Sequence, residues 1–424
     1  MTIQNKLDYL AQTKSLIKDA IIAKGGVIDD STPFRQYADI ISDLPSGGGG
    51  TGIPRSIDSN GKLTTPTDLT TYTSNYSDCG NYGMANAFRT SNSIIDVNLS
   101  SLTKITGSYA FQYAFASCWN LENFNISNLT SITGTYALAN ICYDCRFGGE
   151  LDLSKLATIS GTYALSYSFY STRITGVNLS SLTSITGNYA FQYTFGGCNS
   201  LTNVDLSNLE TIPAAGAFQY AFQYCTNLSD IEFPNLESIE GDGCMNYAFA
   251  YCSSLTNVSF PKLKRIGSDT TSSSCYGHFG NAFRSCNLLE QLTFPELEAI
   301  YNTSWGSSSY ATFYYCDKIK KMYFPKLKII TKSPVASSSY SEPVNIFNNC
   351  SSLTELHFAA ENQAAIEATA GYSTAWGRGA GNVTIYFDLT DDSPNAGTGS
   401  GGSSGGSSGG STGGDNWYND DYSD

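Results

Sequence analysis

The 424-residue sequence predicts a mainly β solenoid of about ten short coils, with a small α-helical module ahead of it. Three observations predict it. A leucine recurs at Leu102, Leu129, Leu156, Leu182, Leu209, Leu236, Leu263, Leu297 and Leu327, in steps of 27, 27, 26, 27, 27, 27, 34 and 30 residues. A short apolar alternation precedes each one, and an isoleucine follows three residues later, from Ile105 to Ile330. No single coil can bury these side chains, but stacked coils supply one another with the missing half of the core.

In chain order, the first element is helical. Ile3, Leu7, Leu10, Ile17 and Ile21 fall on one helix face, Lys24-Gly25-Gly26 stops it, and Ser31-Thr32-Pro33 starts a second helix carrying Phe34, Tyr37, Ile40 and Ile41. Residues 46–52 are a glycine-rich joint. Residues 53–84, with an Asn60-Gly61 turn between short apolar pieces, are expected to cap the first coil, because an open sheet edge needs cover. Residues 85–358 hold the repeats. Val97-Asn98-Leu99, Phe124-Asn125-Ile126, Leu151-Asp152-Leu153 and their equivalents down to Leu356-His357-Phe358 alternate at period two, as a strand with its middle residue outward does. After each isoleucine comes a Gly/Ser/Tyr turn and then an inward Phe, among them Phe115, Phe195, Phe222, Phe249, Phe283, Phe313 and Phe347. Residues 359–390 offer a short helix (359–370) and a closing strand (383–387) as the far cap. Residues 391–424 are Gly/Ser linker and an acidic, aromatic end, too poor in apolar residues to fold alone.

Written out over Ala248 to Ile266, the unit reads Ala-Phe-x-x-Cys-x-x-Leu-x-x-Val-x-Phe-Pro-x-Leu-x-x-Ile, and it resembles the BspA-like class of leucine-rich repeats of bacterial surface and phage proteins. The resemblance covers roughly residues 85 to 358 and implies a leucine-rich-repeat solenoid whose work is binding. Most units here are longer than the usual family repeat. The insertions at 268–280, 301–310 and 331–345 are longer still and are candidate contact loops. The first 45 residues, through Leu16-Ile17-Lys18-Asp19-Ala20-Ile21 and Phe34-Arg35-Gln36-Tyr37-Ala38, are similar to short modules of phage tail-fibre and minor structural proteins, which implies attachment to other virion proteins.

Composition narrows the function. A formal net charge of −14 and a pI near 4.5 oppose nucleic-acid binding, which needs clustered Lys and Arg. No apolar run is long enough for membrane insertion, and the N-terminus lacks the pattern of a secretory signal. Two histidines, His278 and His357, make His-based catalysis a poor expectation, and no nucleophile-elbow, zincin, phosphate-loop or calcium-loop motif occurs. Asp152, Asp205 and Glu232 could share a strand face as glycosidase carboxylates, but they hold a slot that every coil fills with an ordinary polar residue. The expectation is no catalytic, cofactor or metal residue. Cys118, Cys145, Cys198, Cys225, Cys252, Cys286, Cys316 and Cys350 share one repeat position and read as a column of free core thiols. Cys142 fills a Phe slot, so Cys142-x-x-Cys145 is not a metal motif; Cys79, Cys244 and Cys275 fit no pattern.

The suggestive surface is aromatic. Tyr113, Tyr167, Tyr193, Tyr220 and Tyr247 recur two residues before the Phe slot, and Tyr109, Tyr136, Tyr163 and Tyr189 recur six before it. Together with Tyr276, His278, Trp305, Tyr310 and Tyr340 in the insertions, expected to be exposed, the Phe-proximal tyrosines are the candidate binding residues, by hydroxyl hydrogen bonding or sugar-ring stacking. The same Phe-proximal tyrosines could equally be a cover for the phenylalanine core. Lys318, Lys320, Lys321, Lys326, Lys328 and Lys332 read as a solvated edge. The leading expectation is a phage virion structural or adhesion protein, a tail fibre or similar appendage, that binds a host-surface glycan or protein and can form a homo-oligomer. The alternatives are a bacterial cell-surface adhesin and a carbohydrate-active enzyme on a β-solenoid.

Overall fold

A computed structural model describes residues 56–57, 63–64, 70–74, 77–267, 278–301, 312, 315–330, 352–368 and 383–390. The helical module expected in residues 1–45, the three long insertions for the most part, and the linker and tail expected in residues 391–424 lie outside the described residues. The protein is mainly β, a solenoid of about ten turns with very little helix.

Each coil has three sides. On the first, a three-residue strand pairs in parallel and in register with its equivalents: Thr71–Thr73 with Asp96–Asn98, and that with Asn123–Asn125. Further along, Gly148–Asp152, Arg173–Asn178 and Asn203–Asp205 form a second such sheet, and Asp230–Glu232, Asn257–Ser259 and Gln291–Thr293 a third. Lys321–Phe324, Glu355–Ala359 and the closing strand Thr384–Leu389 form the fourth. On the second side, two-residue strands from Lys104–Ile105 to Ile329–Ile330 stack in coil order into a nine-stranded parallel sheet. The coil register therefore begins at Thr71. Ahead of it, Ser56–Ile57 and Leu63–Thr64 pair antiparallel across the Asn60-Gly61 segment.

The corner between these two sides is made in two ways. In five coils the last strand residue, Asn98, Asn125, Asp152, Asn178 or Asp205, turns its side-chain oxygen to the N–H two residues on, that of Ser100, Ser127, Ser154, Ser180 or Ser207, at 2.9–3.1 Å. In the following coils that second residue is Pro234, Pro261, Pro295 or Pro325. Proline has no N–H to satisfy, and its fixed φ sets the bend instead. The Asn or Asp then disappears, replaced by Glu232, Ser259, Thr293 and Tyr323. Asp152 and Asp205 are thus turn caps, each committed to a backbone amide.

The third side is neither helix nor strand. Residues 109–118 show its logic. Tyr109, Phe111, Tyr113, Phe115 and Ser117 donate their N–H groups to carbonyls of the next coil at 2.7–3.0 Å, while Gln112, Ala114, Ala116 and Cys118 close back on the carbonyl three residues earlier. The result is a ribbon of overlapping turns with a period of four: two residues inward (Ala110-Phe111, Ala114-Phe115) and two outward (Gln112-Tyr113). Every fourth residue has positive φ, here Tyr109, Tyr113 and Ser117 at 55–57°. A left-handed conformation costs a non-glycine residue about 1–2 kcal/mol, so the ribbon is held by its coil-to-coil bonds and by what it buries.

It buries the core. Leu102, Leu129, Leu182 and Leu263, Ile105, Ile132 and Ile266, and Phe115, Phe195, Phe222 and Phe249 are all inaccessible to solvent. Equivalent rings stack: Phe195–Phe222 at 5.5 Å, Phe222–Phe249 at 5.4 Å and Phe249–Phe283 at 5.6 Å. Where the corner switches to proline, the residue before it switches to Phe, and a second stack runs Phe233, Phe260, Phe294, Phe324, Phe358. One coil breaks the first stack by placing Cys142 in the Phe slot. Phe124, from the strand side where most other coils have Val, Leu or Ile, and Phe147 fill the gap, packing 5.5 Å apart and at 5.9 and 6.3 Å from Phe169.

Coils approach most closely at glycines. A Cβ on Gly134 would fall within the van der Waals envelope of the Gly107 carbonyl, and the same holds at Gly161 against Gly134. Gly134→Val is therefore expected to destabilise the protein by roughly 3 kcal/mol or more, since overpacking alone costs about 1–3 and here the opposing atoms are backbone; denaturant unfolding checks this. Cys142→Phe alone should destabilise by about 1–3 kcal/mol, and adding Phe124→Val should restore most of the loss. Additive losses in that double-mutant cycle would refute the compensation.

Candidate functional site

The ribbon repeats its left-handed positions in three columns, and most of the non-glycine residues with positive φ are tyrosines. The first column is Tyr82, Tyr109, Tyr136, Tyr163 and Tyr189, stacked face to face with centroids 4.7–5.2 Å apart and planes within 11°. It ends on Gly216, whose backbone lies under the Tyr189 ring where a Cβ would clash. The second column carries Tyr167, Tyr193, Tyr220 and Tyr247, with centroids 4.3–4.8 Å apart. The third gains Tyr224 and Tyr251, 4.6 Å apart. The tyrosines thus cross the ribbon diagonally from the first coils to the later ones.

Most of these rings are half-buried, so they both cover the phenylalanine core and face solvent; Tyr82, at the start of the first column, and Tyr224 are exposed. Stacking consumes their faces, however. What the ladders show outward is ring edges and hydroxyls, repeated at the coil spacing, and a sugar ring cannot lie flat on a face that a neighbouring tyrosine already covers. In the second column successive phenols are close neighbours, Tyr167 beside Tyr193 and Tyr193 beside Tyr220. Desolvation first, then the crowd of neighbouring phenols, raises their pKa, that of Tyr167 to about 12.

The remaining candidates divide. Tyr113 is separated from the second column by Asn140 and instead lies under Arg89, whose guanidinium carbon is 4.7 Å from the ring centroid. His278, expected on an exposed loop, is 4% exposed in the ribbon; its Nε2 lies 3.2 Å from the Glu240 carbonyl, and burial lowers its pKa. It is a core residue, because its position belongs to the ribbon itself and no longer to the insertion before it. Tyr276, Trp305, Tyr310 and Tyr340 lie outside the described residues. His357 stands outward on its strand, sandwiched 4.8 Å from both Tyr323 and Tyr386, with Nδ1 2.9 Å from Asp388 and Nε2 3.1 Å from Glu355. Among the described residues no three His, Cys, Asp or Glu side chains converge on a possible metal position.

Sequence reasoning passed over an aromatic cluster at the ribbon's edge in the early coils. Trp119 is 48% exposed, donates Nε1–H to Asp144 at 3.3 Å, and has Arg146 5.8 Å from its ring. Beside it Tyr143 stacks on Tyr170 at 5.3 Å and meets Tyr167 at 6.3 Å. The period of four could have placed part of this cluster, because it sets each left-handed residue and the one before it, here Asp144 and Tyr143, on the outer face.

The cysteines have a more regular role than packing. Each thiol of Cys118, Cys145, Cys198, Cys225, Cys252, Cys286 and Cys316 donates to the carbonyl of the Phe-slot residue one coil back, Phe88, Phe115, Phe169, Phe195, Phe222, Phe249 or Phe283, at 3.0–3.2 Å. The described cysteines are all buried and free. Burial pushes Cys118 and Cys252 up to about 12 and Cys198 to about 11.

The profile of the BspA type leucine rich repeat region, in six copies, matches residues 84–194, 112–219, 162–276 and 279–374, more than half of the chain. The chain belongs to this family. Such repeat proteins bind partners and do not in general catalyse. Similar solved structures include a leucine rich cell surface protein from Faecalibacterium prausnitzii A2-165, 14% identical over 80% of this chain and 96% of that one, TM-score 0.25. Others are a Treponema (T. pallidum) leucine rich repeat protein, 22% identical over 51% and 71%, TM-score 0.24, and an internalin from Listeria monocytogenes, 14% identical over 78% and 85%, TM-score 0.21. No curated protein matches the chain.

The thiols and phenols set a pH dependence. A group whose folded pKa is raised contributes stability that is intact below its unfolded pKa and is lost as pH rises through the folded value. Stability of this BspA-type solenoid should therefore stay level to about pH 8.5, where unfolded thiols ionise, and fall steeply above it as the tyrosines join. Denaturant melts at pH 7, 9 and 11 check this, and Cys252→Ala should flatten the slope.

Proposed function

We propose that this BspA-type solenoid is a non-enzymatic adhesion protein that grips a partner on a cell surface through its ribbon. The observation that carries the reading is the diagonal of stacked tyrosines, Tyr82 to Tyr189 and then Tyr167 to Tyr251. Tyrosine supplies large rigid contact area at small entropic cost, and stacking between coils removes what freedom remains. The glycosidase alternative is weakened at two of its three carboxylates, since Asp152 and Asp205 each accept from a corner amide, of Ser154 and Ser207. Replacing Tyr193, Tyr220 and Tyr247 together by Phe keeps the rings and removes the hydroxyl row. Cell binding by the purified chain should weaken at least about tenfold with little change in thermal midpoint; unchanged binding would reject the ribbon as the gripping face.

The place of display rests on different residues. Similarity of residues 1–45 to phage structural modules supports a virion appendage with the solenoid as its host-binding arm, and a bacterial surface adhesin is the competing reading. Deleting residues 1–45 should leave the solenoid folded and exclude it from particles, which mass spectrometry of purified virions would detect. Absence of the intact chain from particles would favour the bacterial surface.

A further inference from the structure

Arginine is sparse in this acidic chain, and its early copies are unusually placed. Lys104, Lys264, Arg265, Lys321 and Lys326 each sit against a carboxylate, of Asp78, Glu237, Glu240, Glu355 and Glu296 respectively. Arg89, Arg146 and Arg173 are exposed and make no ion pair among the described residues. Two of them lie over aromatic rings, Arg89 on Tyr113 and Arg146 on Trp119. Backbone bonds tie their surroundings together: Thr90 N–H donates to Ala116, Ser117 to Tyr143 and Asp144 to Tyr170, so successive coils present this edge as one strip.

The strip combines three chemistries. Guanidinium groups with free donors suit carboxylates or sulfates, which they bind as planar, charge-assisted pairs. Trp119, with Arg146 over its ring, still leaves about half of its surface open, 48%, for the C–H face of a pyranose. Asp144, which already accepts from Trp119, has a second oxygen for sugar hydroxyls. Large exposed aliphatic side chains among the described residues are confined to Leu288 and Ile329, in later coils, so what this edge offers is aromatic and charged. Net charge of −14 also repels polyanions in general, so any such ligand must be held locally.

We infer that the edge formed by Trp119, Asp144 and Arg146, flanked by Arg89 and Arg173, is a binding site for an acidic polysaccharide. The inference names a ligand class for the adhesion reading and rests on it for its biological setting, though the binding itself is measured without cells. Full-length protein would be titrated with polygalacturonate, dextran sulfate and neutral dextran. Binding to polygalacturonate, weakened by added salt and absent for dextran, is the expected result; preference for dextran sulfate would assign sulfate as the recognised group. Trp119→Ala and Arg146→Ala should each lower affinity at least about tenfold with unchanged thermal midpoints, since both side chains are exposed, and Arg146→Lys should recover only part. Equal binding of charged and neutral polymers, or full affinity in both alanine variants, would overturn the site. Cell adhesion that survives Trp119→Ala but fails in the ribbon tyrosine variant would sink this site and leave the adhesion reading standing; acidic-polymer binding without cell adhesion would do the reverse.

Discussion

Parallel, in-register stacking of successive coils is the constraint on which everything else in this protein depends. Because Ile105 lies on Ile132, and Ile132 on Ile159, each side chain meets its own equivalent one strand spacing away. Apolar residues at one repeat position then form a continuous seam, and a residue that would be marginal in one coil becomes half of two contacts. The same rule turns phenylalanines, tyrosines and thiols into columns. It also sets the penalty at Gly134 and Gly161, where the interval leaves no room for a methyl group.

Irregular coils show how the constraint is met when the repeat is not kept. Cys142 leaves space in the Phe column, and the space is taken from the opposite side of the coil by Phe124 and from the following corner by Phe147. The change from Asx-capped to proline corners is likewise paired with a change from Leu or Ile to Phe at the residue before, so that corner and core change together. Volume and backbone hydrogen bonds are both conserved from coil to coil, although the residues that supply them are not.

The ribbon is the side proposed to grip a partner because it is the side with side chains to spare. Strand sides bind their outward residues to corners and to neighbouring strands, as Asn98 and Asp205 do. Left-handed positions instead push Tyr109, Tyr113, Tyr193 and Tyr224 outward, and the coil-to-coil N–H bonds hold them there against the conformational cost. A binding surface built on those bonds is as rigid as the solenoid, which is the condition for many weak contacts to add.

Much of this was legible in the sequence. Spacing of Leu102 through Leu327, alternation before each leucine and the shared position of eight cysteines determined the solenoid, its number of coils and its buried thiols, because a repeat that cannot bury itself alone has few ways to fold. Tyrosine columns were visible too, but their meaning was not. Tyr193 reads the same whether its face is open or covered, and only the register of Tyr167, Tyr193 and Tyr220 decides that the faces are spent on one another. His278 looked like part of a loop, and its coil-to-coil bonding put it in the core. Trp119, Asp144 and Arg146 lie in two different repeats with nothing in their spacing to join them; the parallel stacking of those repeats alone brings an indole, a carboxylate and a guanidinium to one edge.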